Sequence, residues 1–224
     1  VGKTTTVVNL AAAIADRGYP TLVVDVDPQC NATTSLGFNA RELDTSIYDV
    51  VMGDVLASDA VLSTPWKGLD LLPSIPGLAG ATVELNALPA RVRAARLQSA
   101  LYPLDTYEYI LIDSPPSLGV LTVNALVAAQ GVIVPVQCEY LALEGLTQLT
   151  HTISLVQRSL NRGLALRGVV MTMFDRRTTL SHEVVDEVRA YFPRRVFKTI
   201  VPRSVRLSEA PSYGEPGVLY APRS

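Results

Sequence analysis

The chain begins Val1-Gly2-Lys3-Thr4-Thr5-Thr6, an order of residue types suited to gripping a phosphate chain. Gly2 lets the backbone come close to an anion, Lys3 can reach the β- and γ-phosphates of a nucleotide, and the Thr4 hydroxyl can join a Mg²⁺ shell. Thr5 follows one step into a helix whose amide groups and positive dipole end point at the same anion. The full pattern G-x-x-x-x-G-K-[ST] asks for a strand and a glycine-started turn before the lysine, and only Val1 and Gly2 stand there. Taken alone, a threonine-rich helix start reads the same way.

Two carboxylate-bearing segments change that balance. "VVDVDPQ" places Asp25 and Asp27 two apart, so in a strand both side chains project from one face, with Asp27 at the end and Pro28 closing the run. A carboxylate there can orient an attacking water. "YILIDSPPS" puts Asp113 after a mostly aliphatic run, at the carboxyl end of another strand, where a nucleotidase holds Mg²⁺ directly or through water. One strand-ending aspartate is commonly only a turn residue; a phosphate loop and two such aspartates together point to a Mg·nucleoside triphosphate site.

The elements that must position these groups follow from periodicity. An amphipathic helix is expected from about Lys3 to Arg17, stopped by Gly18. Strands are expected at 21–27, 69–73, 107–113, 131–136, 167–174 and 196–201, with helical patterns between most of them and a helix break at Pro89. Near-continuous apolar strands alternating with helices predict an α/β fold: a mainly parallel, doubly wound sheet with helices on both faces. In such sheets ligands sit at the carboxyl ends of the strands. The 224 residues suffice for one sizeable core, and no linker or repeat marks a second domain, so 1–224 reads as a single domain with an elaborated connection from Arg41 to Ala81.

Composition excludes several other classes. No run of about 18 apolar residues appears, which argues against a membrane span, and no secretory leader is visible. Cys30 and Cys138 lack C-x-x-C spacing and histidine neighbours, which argues against a disulfide framework or zinc site and for a reduced, cytoplasmic protein. His151 and His182 have no acidic or cysteine partner at ligand spacing. The net charge of −2 conceals an asymmetry: residues 1–150 carry 7 Lys and Arg against 15 Asp and Glu, whereas 151–224 carry 12 against 6. A basic face in the last third is one reading, and arginines scattered over several solvated surfaces is the other.

The blocks "VGKTTT", "VDVDPQCNATTSLG", "ILIDSPPSLGVLTVNAL", "PVQCEYLALEG", "MTMFDRRTTLS" and "VPRSVRLSEAPSYG" resemble, in order and nearly end to end, the ParA/Soj branch of the ParA/MinD family of deviant-Walker P-loop ATPases. The resemblance implies a P-loop NTPase fold of three α/β/α layers, with ATP and Mg²⁺ as cofactors. It implies that Lys3 binds phosphate in catalysis, Gly2, Thr4 and Thr5 line the phosphate loop, Thr4 and Asp113 serve the metal, and Asp27 positions the hydrolytic water. Pro202, Arg203 and Ser204 would border the adenine. Met173 and Phe174 would either wall that pocket or simply fill the core. The region 28–36 would be the switch loop that rearranges with the γ-phosphate.

The same resemblance implies an ATP-dependent homodimer that binds nonspecific DNA on the nucleoid, with Arg177 and Arg206 at the matching positions and Arg194, Arg195 and Lys198 adding charge. A ParB-like centromere-binding protein would stimulate hydrolysis, in chromosome or plasmid segregation. The alternatives are a MinD-like membrane-cycling ATPase and a nucleoid-bound cargo-positioning relative; the "SPPSLG" and "PRSVRLSEAPSYG" blocks resemble the segregation branch. An iron–sulfur ATPase would need cysteines placed differently from Cys30 and Cys138. The sequence departs from the family's usual pattern at Cys30, where glycine is usual, and at Ser204, where asparagine is usual. A first strand and signature lysine before Val1 and a last helix after Ser224 are also expected by resemblance, so weak ATP binding and low activity are expected of these 224 residues.

Overall fold

The computed structural model describes residues 2–140 and 142–222; Val1, Leu141 and Ser224, each part of a segment discussed above, lie outside them. In chain order the elements are α1 (Lys3–Ala15), β1 (Thr21–Asp25), α2 (Asn31–Ser35), α3 (Ile47–Met52), α4 (Ala57–Ala60), β2 (Leu62–Ser63), β3 (Leu69–Leu72), α5 (Leu78–Ala87), α6 (Ala90–Leu101), β4 (Tyr109–Asp113), α7 (Val120–Ala128), β5 (Gly131–Gln137), α8 (Ala142–Ser159), β6 (Ala165–Phe174), α9 (Thr179–Tyr191), β7 (Val196–Pro202), α10 (Val205–Glu209), a 3₁₀ turn (Ala210–Tyr213) and α11 (Gly217–Tyr220). They form two compact units. One holds Thr4–Ala128 and the described residues from Arg206 on; the other holds Ala129–Val205 with Gly2 and Lys3.

The larger unit is built on a sheet of order β2-β3-β1-β4. β1 pairs in parallel with β3 and with β4, whereas β2 runs antiparallel along the edge of β3. All five residues of β1 are buried, because helices cover both faces of the sheet. On one face Val23, Leu69 and Leu71 pack with Val8, Ala11, Ala12 and Ala15 of α1. On the other, Leu22, Val24 and Leu72 pack with Ile47, Val50, Leu78, Leu85 and Leu97 from α3, α5 and α6. Neighbouring residues of a strand thus enter opposite cores, which is the period-two consequence of the pleat, and a strand covered twice is apolar through its middle, here Leu22–Val24.

The smaller unit has a parallel sheet of order β5-β6-β7, whose core combines Val134 and Val136 with Val169, Met171 and Val184, Val185 and Val188 of α9. Both units have the α/β character expected from the alternation. The six anticipated strands are all present, and so are the stop of α1, with Gly18 at φ 92°, and the break at Pro89 between α5 and α6. The edge strand β2, inside the stretch anticipated as an elaborated connection, was not expected: two residues carry no readable period.

One expectation fails locally. β1 stops at Asp25 rather than running to Asp27, so the two aspartates do not share a strand face. The cause is a side chain: the Asp25 carboxylate accepts the Asp27 backbone N–H at 3.1 Å. A short polar side chain bonding the backbone two residues on makes a turn in place of extended chain.

Candidate functional site

The carboxyl ends of β1 and β4 lie level, with Asp25 opposite Asp113 in the parallel register. The Val26 N–H continues the contact by donating to the Asp113 carbonyl at 2.9 Å. At this edge the Thr4 hydroxyl, in the first turn of α1, donates to Asp113 Oδ2 at 2.6 Å. Asp113 is buried. Two of the residues expected to serve a metal, 109 positions apart, are therefore in direct contact at the N-terminus of a 13-residue helix, where amide groups and the helix dipole favour an anion.

These donors fit Mg·nucleotide. Mg²⁺ takes hard oxygen ligands, keeps several waters, and is usually held by one or two carboxylates plus the substrate's phosphates. A hydroxyl beside one carboxylate at a helix start is that donor set. No group of three or more His, Cys, Asp or Glu able to hold a metal occurs among the described residues. Gly2, at φ 84°, occupies left-handed space, and a Cβ there would meet Thr172 Oγ1 at 3.3 Å. Glycine suits this turn for both reasons. Lys3 is the first residue of α1.

Asp27 lies in the turn after β1. It is buried, its Oδ1 accepts the Gln29 N–H at 3.0 Å, and among the described residues no group donates to Oδ2. Its neighbour Asp25 is completely buried and accepts three hydrogen bonds: Asp27 N–H on Oδ1, and both the backbone N–H and the hydroxyl of Thr33 on Oδ2, each at 2.8 Å. Burial pushes the Asp25 carboxyl up to about 6, although its three donors favour the ionised form.

Cys30 sits in left-handed backbone, φ 56° and ψ 30°, directly before α2. That conformation crowds a Cβ and is routine only for glycine. The thiol is buried, donates to the Pro28 carbonyl at 3.3 Å, and is pushed up to about 11 by desolvation. It is an inert thiol rather than a nucleophile.

The other anticipated residues fall into two groups. Pro202 ends β7 opposite Phe174, the Arg203 N–H donates to the Phe174 carbonyl at 2.9 Å, and the Arg203 guanidinium lies 3.8 Å from Glu139. Ser204 directly precedes α10. Met173 has φ 55° at a register shift between β6 and β7, and the Phe174 ring packs edge-on against His182 at 5.0 Å. These contacts all lie within the smaller unit. Of the arginines, Arg177 is 83% exposed and forms a fork on Asp175, with bonds of 2.9 and 2.8 Å that hold the Asp175 carboxyl well below the usual range. Arg206 pairs with Glu209 at 3.0 Å on α10. Arg195 donates to the Leu166 carbonyl. Arg177 and Arg206 belong to different units.

Sequence reasoning missed Thr33, Ser74 and the glycine pair Gly37 and Gly214. The Thr33 hydroxyl accepts the Ser74 N–H at 2.9 Å, and the Ser74 hydroxyl donates to the Asp27 carbonyl at 2.8 Å. Gly37 and Gly214 both have positive φ, and a Cβ on Gly214 would lie 2.6 Å from the Gly37 Cα. The C-terminal segment therefore closes onto the end of the 28–36 loop through bare backbone. The position of Ser74 directly after the β3 run was its one available signal; nothing in a single sequence pairs the two glycines.

A family model described as an AAA domain matches residues 1–166. The chain is 50% identical over 225 residues to the sporulation initiation inhibitor protein Soj of Bacillus subtilis, covering 100% of this chain and 88% of that protein. It is 51% identical over 221 residues to the chromosome partitioning protein ParA of Myxococcus xanthus, covering 98% and 77%. A crystal structure from Mycobacterium smegmatis, described as cobyrinic acid a,c-diamide synthase with bound ADP and magnesium, superposes with a TM-score of 0.85 at 40% identity over 95% of this chain and 87% of that one.

Proposed function

The chain belongs to the ParA/Soj branch of the ParA/MinD family of P-loop ATPases, and from that premise we propose that it is a DNA-segregation ATPase, acting in the cytoplasm on the nucleoid as one P-loop domain. ATP and Mg²⁺ are its cofactors. The observation that carries the reading is the contact of Thr4 with Asp113 at the start of α1. Thr4 and Asp113 would hold the metal, which when bound neutralises charge on the phosphate oxygens. Gly2 and Lys3 grip the phosphates. Asp27, with Oδ2 free of donors among the described residues, orients the attacking water. Catalysis of this kind is mainly positioning and electrostatics.

The finer reading is that ATP closes a homodimer, that the dimer binds DNA without sequence preference, and that a ParB-like protein triggers hydrolysis and release. Its support is the excess of positive charge in residues 151–224 and the exposure of Arg177 and Arg206. The test is retention on nonspecific DNA with ATP against ADP at two salt concentrations. Retention that needs ATP and falls steeply with salt supports it. No retention in either state overturns it and makes lipid vesicles, the surface a MinD-like protein would use, the next one to try. Arg206→Glu is expected to abolish retention and leave nucleotide binding intact. Calorimetric titration with Mg·ATP measures the phosphate loop directly.

A further inference from the structure

Five hydrogen bonds close a ring around the turn that carries Asp27. Asp25 Oδ1 accepts the Asp27 N–H, and Asp25 Oδ2 accepts the N–H and hydroxyl of Thr33. Thr33 Oγ1 accepts the Ser74 N–H, and the Ser74 hydroxyl returns to the Asp27 carbonyl. Asp25, Thr33 and Ser74 are all completely buried. The ring joins the end of β1, the short helix α2 and the turn after β3, and it holds one residue, Asp27, by both backbone polar groups.

We propose that Asp25, Thr33 and Ser74 are positioning residues for hydrolysis, which fix the backbone of Asp27 so that its carboxylate points at the attacking water. The inference rests on the reading of Asp27 as the water-orienting group and adds three residues to it. The physical argument is one of precision. Asp27 lies beyond the last ladder bond of β1, so the sheet does not hold it, and a misplacement of about 1 Å costs about 10²-fold in rate. A buried network with every member satisfied rigidifies what it touches, and it does so cooperatively. The hydroxyl of Thr33 is the hinge of the ring, since it donates to Asp25 and accepts from Ser74. Movement of α2 would withdraw Thr33 from Asp25 and Ser74, the two residues that hold the Asp27 backbone, which ties the competence of the water-orienting group to the state of the 28–36 loop.

The test compares Thr33→Val, Thr33→Ser, Ser74→Ala and Asp27→Ala in the full chain, reading single-turnover hydrolysis at saturating Mg·ATP and the Kd for Mg·ATP. Thr33→Val keeps the shape and removes the hydroxyl; kcat is expected to fall about tenfold or more with Kd within about twofold. Thr33→Ser is expected to restore the rate, and Ser74→Ala to lower it by a smaller factor. An unchanged kcat in both Thr33→Val and Ser74→Ala, beside an inactive Asp27→Ala, overturns the ring and spares the reading of Asp27. Full hydrolysis by Asp27→Ala overturns both. A loss of rate matched by an equal loss of affinity, or no rescue by serine, makes the ring a folding or binding feature and overturns the proposal. Should Thr33→Val fail to fold, Ser74→Ala decides, because it removes a single hydroxyl from the ring.

Discussion

The turn at Asp27 and the arginine-bearing last third place charge in opposite ways. At the turn, Asp25 is completely buried and held by three donors from two elements. In the last third, Arg177 and Arg206 lean on carboxylates two and three residues away and stay mostly in solvent. A buried carboxylate must be paired or it is costly, so its surroundings are built around it and its direction is set. Exposed ion pairs are worth little, so these arginines can leave their partners for a stronger anion at small cost. The first arrangement fixes one geometry; the second leaves each arginine able to change partner at little cost.

Gly214, in the C-terminal segment, rests on Gly37 at the end of the 28–36 loop, and that contact offers the harshest way to break the comparison. Gly214→Ala would place a Cβ 2.6 Å from backbone, at φ 67°, and is expected to cost about 3 kcal/mol in a urea unfolding titration. A neutral result would show that the C-terminal segment does not clasp the 28–36 loop in solution. A pH profile tests the buried side next. Between the ordinary value of 3.8 and the folded-state value of about 6, folded Asp25 holds a proton that the unfolded chain has released. Stability is therefore expected to fall as pH rises across that window, by about 3 kcal/mol, and then to level off. Comparing the chain with Asp25→Asn by unfolding at pH 4, 5, 6 and 7 checks it, since the variant lacks that slope.

A finer probe of the same region is Cys30. Relief of the left-handed strain should make Cys30→Gly more stable than Cys30→Ala by about 1 kcal/mol, although glycine removes more of the side chain. The reverse order would mean that Cys30 is not in the left-handed region. The smallest effect is expected in the last third: Arg177→Ala should change the unfolding free energy by less than about 0.5 kcal/mol despite its two-pronged pairing with Asp175. A larger loss would place Arg177 with the structural residues and weaken the proposal that it contacts DNA.

Much of the site was legible because its parts are local. The glycine, lysine and threonines open a helix, and Asp113 closes an aliphatic strand; both statements need only neighbours in sequence, and the structure puts Thr4 and Asp113 in contact. The pairing of Arg177 with Asp175 and of Arg206 with Glu209 was equally local and could have been read from spacing. The end of β1 was misplaced by two residues because periodicity counts apolar positions and is blind to a side chain that captures a backbone N–H.

By itself, then, the sequence determined the order of strands and helices and the burial of the central strands on both faces, and its ordered blocks pointed to the family. Short-range sterics and hydrophobic periodicity are enough for the first two; the family rests on resemblance. Only the tertiary structure decided that Ser74 reaches a carbonyl 47 positions away, that Thr33 links it to Asp25, and that two glycines touch. Each of these depends on which residues become neighbours once the sheet has formed. Hydrogen bonds and close backbone contacts are specific to a few tenths of an ångström, and composition has no bearing at that scale.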